Sequence, residues 1–209
     1  RPKINKSITL IGNYSSGDNS EFNNLVLGAM QAQDIYLIIG PPGTGKTSFG
    51  MLNVLKEQLL HPDTSVLLMA YTNRAVDEIC SKLKEEDIDF LRLGNDFSCA
   101  PEYRDNLLSN KARLCNNIDD IRHLIINSRI ICGTTTAFNS HTEIFSLKSF
   151  QLAIIDEASQ ILEPHIIGLL SAKHDKENAI GKIVMIGDEK QLPAVVQQEA
   201  NESVVNSKS

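Results

Sequence analysis

No apolar run in this 209-residue chain approaches the roughly 18 residues that a membrane-spanning helix needs. The opening Arg1, Pro2, Lys3 leads into no signal-type apolar stretch, so a cytoplasmic location is expected. Cysteine is sparse and dispersed. Cys80, Cys99, Cys115 and Cys132 never form C-x-x-C, which speaks against a disulfide framework or a zinc site and for four reduced, mostly buried thiols. The five histidines carry no ligand spacing either. A surplus of positive charge is also lacking: 20 Lys and Arg against 26 Asp and Glu give a net charge of −6. Bulk electrostatics therefore does not announce a nucleic-acid binder, and any such contact has to be local. There is no initiator methionine, and both ends are polar and unpatterned, which reads as an excised domain. The remaining composition, 42% apolar and 22% charged, is ordinary for a globular protein and long enough for one α/β domain.

Against these absences stands one dense motif: Gly40, Pro41, Pro42, Gly43, Thr44, Gly45, Lys46, Thr47. It follows the apolar run Ile35 to Ile39 and precedes the helix-like run Ser48 to Leu60, the context that gives G-x-x-x-x-G-K-[ST] its physical meaning. Gly43 and Gly45 permit backbone angles that a Cβ forbids, so successive N–H groups can face one concavity and meet phosphate oxygens. The helix beginning around Ser48 adds its unsatisfied N–H groups and the positive end of its dipole. Lys46 is expected to reach the β and γ phosphates, and the Thr47 hydroxyl to ligate Mg²⁺.

Around the cradle, strands and helices alternate. Strands are expected at residues 35–39, 65–70, 89–93, 129–132, 151–156 and 182–186. Helices are expected at 21–33, from 47 to about 60, at 74–83, at 141–148 and from near Pro164. Near-continuous apolar strands separated by helices imply a mainly parallel sheet with helices on both faces. Residues 95–128 interrupt the rhythm and read as a helical insertion of two helices. Residues 1–20 read as a loose lead-in with one short edge strand around Ile8 to Ile11, and 197–209 as a flexible tail.

Two more stretches complete the expected nucleotide site. The strand Leu152 to Ile155 runs into Asp156 and Glu157. The first carboxylate is placed to hold the Mg²⁺ water shell, the second to orient or deprotonate an attacking water. The last strand runs into Gly187, Asp188, Glu189, Lys190, Gln191, Leu192, Pro193, where the Gln191 amide is suited to a bond with the γ phosphate that vanishes when that phosphate leaves.

GPPGTGKT, AYTNRAVDEI at Ala70 to Ile79, GTTTAF at Gly133 to Phe138, IIDEASQ at Ile154 to Gln160 and GDEKQLP at Gly187 to Pro193 resemble the ordered motifs of superfamily 1 helicases. The pattern, including LRLG at Leu91 to Gly94 before a helical insertion, is similar to the Upf1-like and Dna2-like group. The match spans roughly Phe22 to Val196. The resemblance implies a three-layer RecA-like P-loop domain over residues 21–196, the first of two in an ATPase that moves 5′ to 3′ on single-stranded DNA or RNA. It implies ATP and Mg²⁺ as cofactors, with no membrane partner. By the same resemblance, Lys46 and Thr47 bind phosphate and metal, Asp156 holds Mg²⁺, Glu157 activates water and Gln191 couples the γ phosphate to the strand. Thr72, Asn73 and Arg74, together with Thr134 and Thr135, then meet backbone phosphates of the strand. Helix capping uses the same geometry as phosphate contact, and Arg74 has an alternative partner in Asp77.

The sequence departs from the group at two places. No Gln stands 18 to 20 residues before the cradle, where the group reads adenine; Ser20 to Asn24 occupy that neighbourhood. Nothing after Pro193 resembles the second RecA-like domain, so the chain is expected to bind nucleotide and hydrolyse it poorly. Two other classes fit parts of the pattern: a phosphotransferase or switch NTPase, for which Arg104, Arg113, Arg122 and Arg129 would be lid arginines, and a recruitment module with structural ATP.

Overall fold

The computed structural model describes residues 3–14, 21–40, 46–161 and 163–188. Pro41 to Gly45, Gln191, Pro193 and the tail lie outside the described residues, as do the side chains of Lys46, Thr47 and Ser48.

Five long apolar segments and one two-residue strand form a single six-stranded sheet. These are β1 (Ile35–Ile39), β2 (Val66–Ala70), β3 (Leu91–Arg92), β4 (Ile130–Thr134), β5 (Leu152–Ile155) and β8 (Ile183–Gly187), in the order β1-β8-β5-β2-β4-β3. Every ladder in it is parallel. Helix α1 (Glu21–Gln31) leads into β1; parallel neighbours require crossovers, and the later helices supply them: α2 (Leu52–Leu59), α3 (Asn73–Glu85), α4 (Leu108–Ala112), α5 (Ile118–Asn127), α6 (Thr135–Ser140), α7 (Glu143–Leu147) and α8 (Glu163–Leu170). A small antiparallel pair, β6 (Lys173–His174) and β7 (Glu177–Asn178), lies between α8 and β8.

The period of two along each strand divides the core into two layers. On β2, Val66, Leu68 and Ala70 face a cluster built with α1, α2 and α3. Leu67 and Met69 face the opposite cluster, where Phe138, Phe145, Phe150 and Leu169 pack. In α3 the residues Ala75, Val76, Ile79, Cys80 and Leu83 are buried, the i, i+4 stripe that docks a helix on a sheet. β2, β4 and β5 are buried along their whole length, as expected for strands covered on both faces.

β1 is different. The sequence reads it as a buried strand, yet it lies at the sheet edge, and Ile35, Leu37 and Ile39 are 37%, 55% and 61% exposed. Composition signals a strand but not its position in the sheet. The expected edge strand at Ile8 to Ile11 does not form; the lead-in is instead strapped onto α2. The buried Glu57 carboxylate accepts the Ile11 and Gly12 N–H groups at 2.7 and 3.0 Å and the Tyr14 hydroxyl at 2.6 Å. Burial alone raises the Glu57 carboxyl, but these donors outweigh it and hold it below the usual carboxylate range.

The insertion is a 3₁₀ turn at Pro101–Asn106 followed by α4 and α5, rather than two plain helices. α6, which follows β4 directly, and the β6–β7 pair are elements that apolar periodicity does not reveal, because each is shorter than two helical turns or three strand residues.

Candidate functional site

The described strand ends that carry the sequence motifs converge on one edge of the sheet. The register pairs Ile39 with Gly187, Ile155 with Met185, Met69 with Ile155, and Ala70 with Thr134. The residues that follow these strand ends, Gly40, Asp188, Asp156 and Thr72, therefore emerge side by side along the carboxyl edge, as does Thr135 after β4. Ligands of open α/β sheets bind at this edge, because crossover loops leave a crevice there.

At the β1 side, Gly40 N–H donates to Gly187 O at 3.4 Å, which holds the start of the cradle against the end of β8. The backbone of Lys46–Met51 forms a π-helical turn that continues into α2, a feature that is rare and concentrates at functional sites. A shallow, mostly apolar cavity of about 190 Å³ opens against β1 and the end of β8, lined by Leu37, Ile39, Ala158, Ser159, Gly187 and Asp188.

At the end of β5, Asp156 is buried and its N–H donates to Met69 O at 2.8 Å. Glu157 turns sharply into the left-handed region, φ 51° and ψ 35°, a conformation that costs an L-residue about 1–3 kcal/mol and clusters at functional sites. That turn sends the chain into the 3₁₀ turn Ala158–Gln160 and inward past β8, where Ser159 lies against Gly187. Among the described residues Glu157 Oε2 and Ser159 Oγ are buried without a hydrogen-bond partner. Burial first, then the neighbouring Asp156 and Glu78 charges, push the Glu157 carboxyl above its usual range, against a smaller opposing pull from Arg74. The pair is a buried acid beside a second acid that is strained, desolvated and incompletely bonded. A polar ligand with its water would satisfy those orphaned oxygens.

Further along the edge, at β2 and β4, the two capping hydroxyls are already satisfied. Thr72 caps α3, its Oγ1 accepting Ala75 N–H at 3.1 Å, and Thr134 caps α6 by accepting Ala137 N–H at 3.1 Å. Thr72, Asn73 and Arg74 are exposed, so their polar groups face solvent at the start of α3. Arg74 pairs with Glu78 at 3.3 Å, one turn on, and not with Asp77, whose partner is Arg92. Thr134 and Thr135 are both buried, and the Thr135 hydroxyl has no partner among the described residues; the threonine of the motif that reaches solvent is Thr136. Sequence reasoning passed over Ser159 and Thr136. Each belongs to a quoted motif, and which residue of a motif turns inward is set by the tight turn that follows the strand.

Among the described residues no group of three or more His, Cys, Asp or Glu side chains could hold a metal, and no helix is long and apolar enough to cross a membrane.

A family model described as an AAA domain matches residues 18–114 and 100–199. The chain is 37% identical over 187 residues to the DNA replication ATP-dependent helicase/nuclease JHS1 of Arabidopsis thaliana, covering 88% of this chain and 13% of that protein. It is 35% identical over 193 residues to the DNA replication ATP-dependent helicase/nuclease DNA2 of Mus musculus, covering 91% of this chain and 17% of that protein. Among solved structures, the UvsW helicase from bacteriophage T4 shares the fold with a TM-score of 0.57 at 13% identity, over 87% of this chain and 57% of that one. The chain thus spans between 13% and 17% of the length of these two relatives.

Proposed function

Because this chain belongs to the Dna2-like superfamily 1 helicases, as a RecA-like domain, we propose that it is one wall of an ATP-driven motor that runs on single-stranded nucleic acid. The observation that carries the reading is the Asp156–Glu157 pair: two adjacent acids at a strand end, the second held in a strained turn with a raised carboxyl and an orphaned oxygen. A carboxyl raised toward neutrality is the better proton acceptor at working pH.

ATP bound with Mg²⁺ supplies the phosphoanhydride and the positive charge that offsets its leaving group. Gly40 to Ser48 are the residues to hold the phosphates, with Lys46 as the cation among them. Thr47 and Asp156 are the residues to hold the metal, through the hydroxyl and the buried carboxylate. The orphaned Glu157 Oε2 fits an attacking water, from which Glu157 takes the proton. Ser159 Oγ, aimed inward at the same turn, is available to hold that water's second side. Gln191 is the coupling residue between phosphate and strand.

Thr72, Asn73 and Arg74 at the head of α3, with Thr134 and Thr135 at the head of α6, form the strand side. Their backbone N–H groups, with the exposed polar side chains of Thr72, Asn73 and Arg74, suit phosphates rather than bases, so binding is insensitive to sequence. The names of the relatives, DNA replication helicases, make single-stranded DNA the first polymer to try, with RNA as the comparison. Movement from 5′ to 3′ follows the superfamily resemblance.

The partner that completes the site is a second RecA-like domain of the parent protein. Arginine fingers supplied by such a partner raise turnover about 10³- to 10⁵-fold, so this chain alone binds nucleotide and turns it over slowly. The deciding experiment measures ATP turnover by the full-length parent with and without single-stranded DNA or RNA. Turnover should rise severalfold or more with one polymer; if neither changes it, the motor reading fails.

A further inference from the structure

The ion pair between β3 and α3 encloses chemistry that a structural salt bridge does not require. Arg92 is fully buried. Its Nη2 lies 3.0 Å from Asp77 Oδ1 and donates to Ser98 O at 3.2 Å, while Nη1 donates to Cys80 Sγ at 3.7 Å. Nε is buried with no partner. Cys80 Sγ and Cys132 Sγ stand 3.6 Å apart, both fully buried, and Cys99 is buried in the adjoining loop. One guanidinium thus stands beside thiols from α3, β4 and that loop.

We propose that Cys80 and Cys132 are a redox pair that closes into an intrachain disulfide when the protein meets a peroxide. The two sulfurs already touch and a permanent cation sits against one of them, which favours an attacking thiolate beside a resolving thiol; both are fully buried, so the reaction also requires the structure beside them to open. The environment also divides the roles. The bond from Cys132, with Arg92 assisting against burial, holds the Cys80 thiol low, whereas burial pushes the Cys132 thiol up.

Cys80 thiolate attacks one oxygen of hydrogen peroxide; the S–O bond forms, the O–O bond breaks, and the departing hydroxide takes a proton to become water. Cys132, losing its proton to the second oxygen, attacks the Cys80 sulfur. The S–S bond forms, the S–O bond breaks and a second water leaves. Two thiols are oxidised and one peroxide is reduced to two waters. Closure from 3.6 Å to a covalent S–S distance of about 2.05 Å draws α3 toward β4, the elements that lead from Thr72 and into Thr134.

The loop Asn95 to Ala100, which places Cys99 and Ser98 O beside Arg92, is the segment that has to open to admit the oxidant. It is held mostly by its own bonds, Asn95 Oδ1 accepting Phe97 and Ser98 N–H at 3.0 Å, and Phe97 is wholly exposed. Asp77, at the rim of the cluster, is itself partly exposed.

The test treats the 209-residue chain with hydrogen peroxide under conditions where its circular dichroism stays native, then maps disulfides by peptide mass and counts free thiols. The expected result is a mass loss of about 2 Da on disulfide formation, a Cys80–Cys132 linked peptide, and two of the four free thiols remaining. Cys99→Ser should leave that link intact. Cys132→Ala should abolish it and leave Cys80 as a sulfenic acid that dimedone labels. Four intact thiols in the native wild-type chain, or a link that uses Cys99 or Cys115 instead, overturns the proposal; the wild-type map decides this whether or not either variant folds.

Discussion

At the β5 end of the sheet's carboxyl edge, Glu157 stands at φ 51° with a buried and unpartnered Oε2. At the β2 and β4 end, the Thr72 and Thr134 hydroxyls each hold a helix N–H at 3.1 Å. Both regions come from the same local event, a parallel strand ending in a turn. They differ in what the turn leaves undone. The first stores strain and desolvated charge that only a ligand can relieve. The second has its two capping hydroxyls satisfied, with only the buried Thr135 hydroxyl left over among the described residues. On the proposed reading, chemistry belongs with the first and sequence-blind holding with the second.

The largest test of that division is Glu157→Gln in the full-length parent. Strand-stimulated ATP turnover should fall about 10²- to 10⁴-fold, the range for loss of a general base, with nucleotide binding retained in an equilibrium assay. Unchanged turnover would remove Glu157 from the chemistry and erase the contrast.

The track end predicts a split between stability and binding. Thr72→Ala removes a cap and should cost about 1 kcal/mol in a denaturant titration. Asn73→Ala, at an exposed position, should stay within about 0.5 kcal/mol. Together they should weaken strand binding to a similar degree for every base sequence; a changed base preference would mean that these residues read bases after all.

pH sharpens the comparison further. A Glu157 carboxyl raised in the folded state binds its proton more tightly than in the unfolded chain. Its stabilising contribution is therefore complete below the ordinary glutamate range and declines as pH rises through the raised value. Urea titrations across that window should show Glu157→Gln gaining on the wild type as pH increases, whereas Thr72→Ala should show a constant offset. The smallest effect belongs to Arg74→Ala. Its pair with Glu78 is a solvated one-turn contact, so stability should move by less than about 0.5 kcal/mol. A salt slope of strand binding reduced by about one would mark a phosphate contact.

Much of this was legible from residues alone, for identifiable reasons. The alternation of apolar strands with helices gave the parallel α/β class, because a strand buried on both faces is apolar along nearly its whole length, as β2 and β5 are. The Asp156–Glu157 pair could be picked out because it follows such a strand. Other features left no local trace. The edge position of β1 depends on β8, nearly 150 residues later, pairing with one side of it only. The strapping of Ile11, Gly12 and Tyr14 to Glu57 spans more than 40 residues of sequence. The burial of Thr135 and the exposure of Thr136 turn on the helical phase that α6 adopts after β4.

The sequence by itself determined which groups are present at the strand ends: a phosphate motif, two acids, and polar helix starts. Spacing and residue type suffice for that, because they act through local backbone geometry. Only the tertiary structure decided that these ends line up along one edge in the order β1-β8-β5-β2-β4. It also decided that Glu157 is strained and desolvated, and that cysteines 52 residues apart meet at 3.6 Å beside a buried arginine. Those are consequences of packing, where burial and neighbouring charge set the properties of a group, and neither quantity exists until the chain has folded.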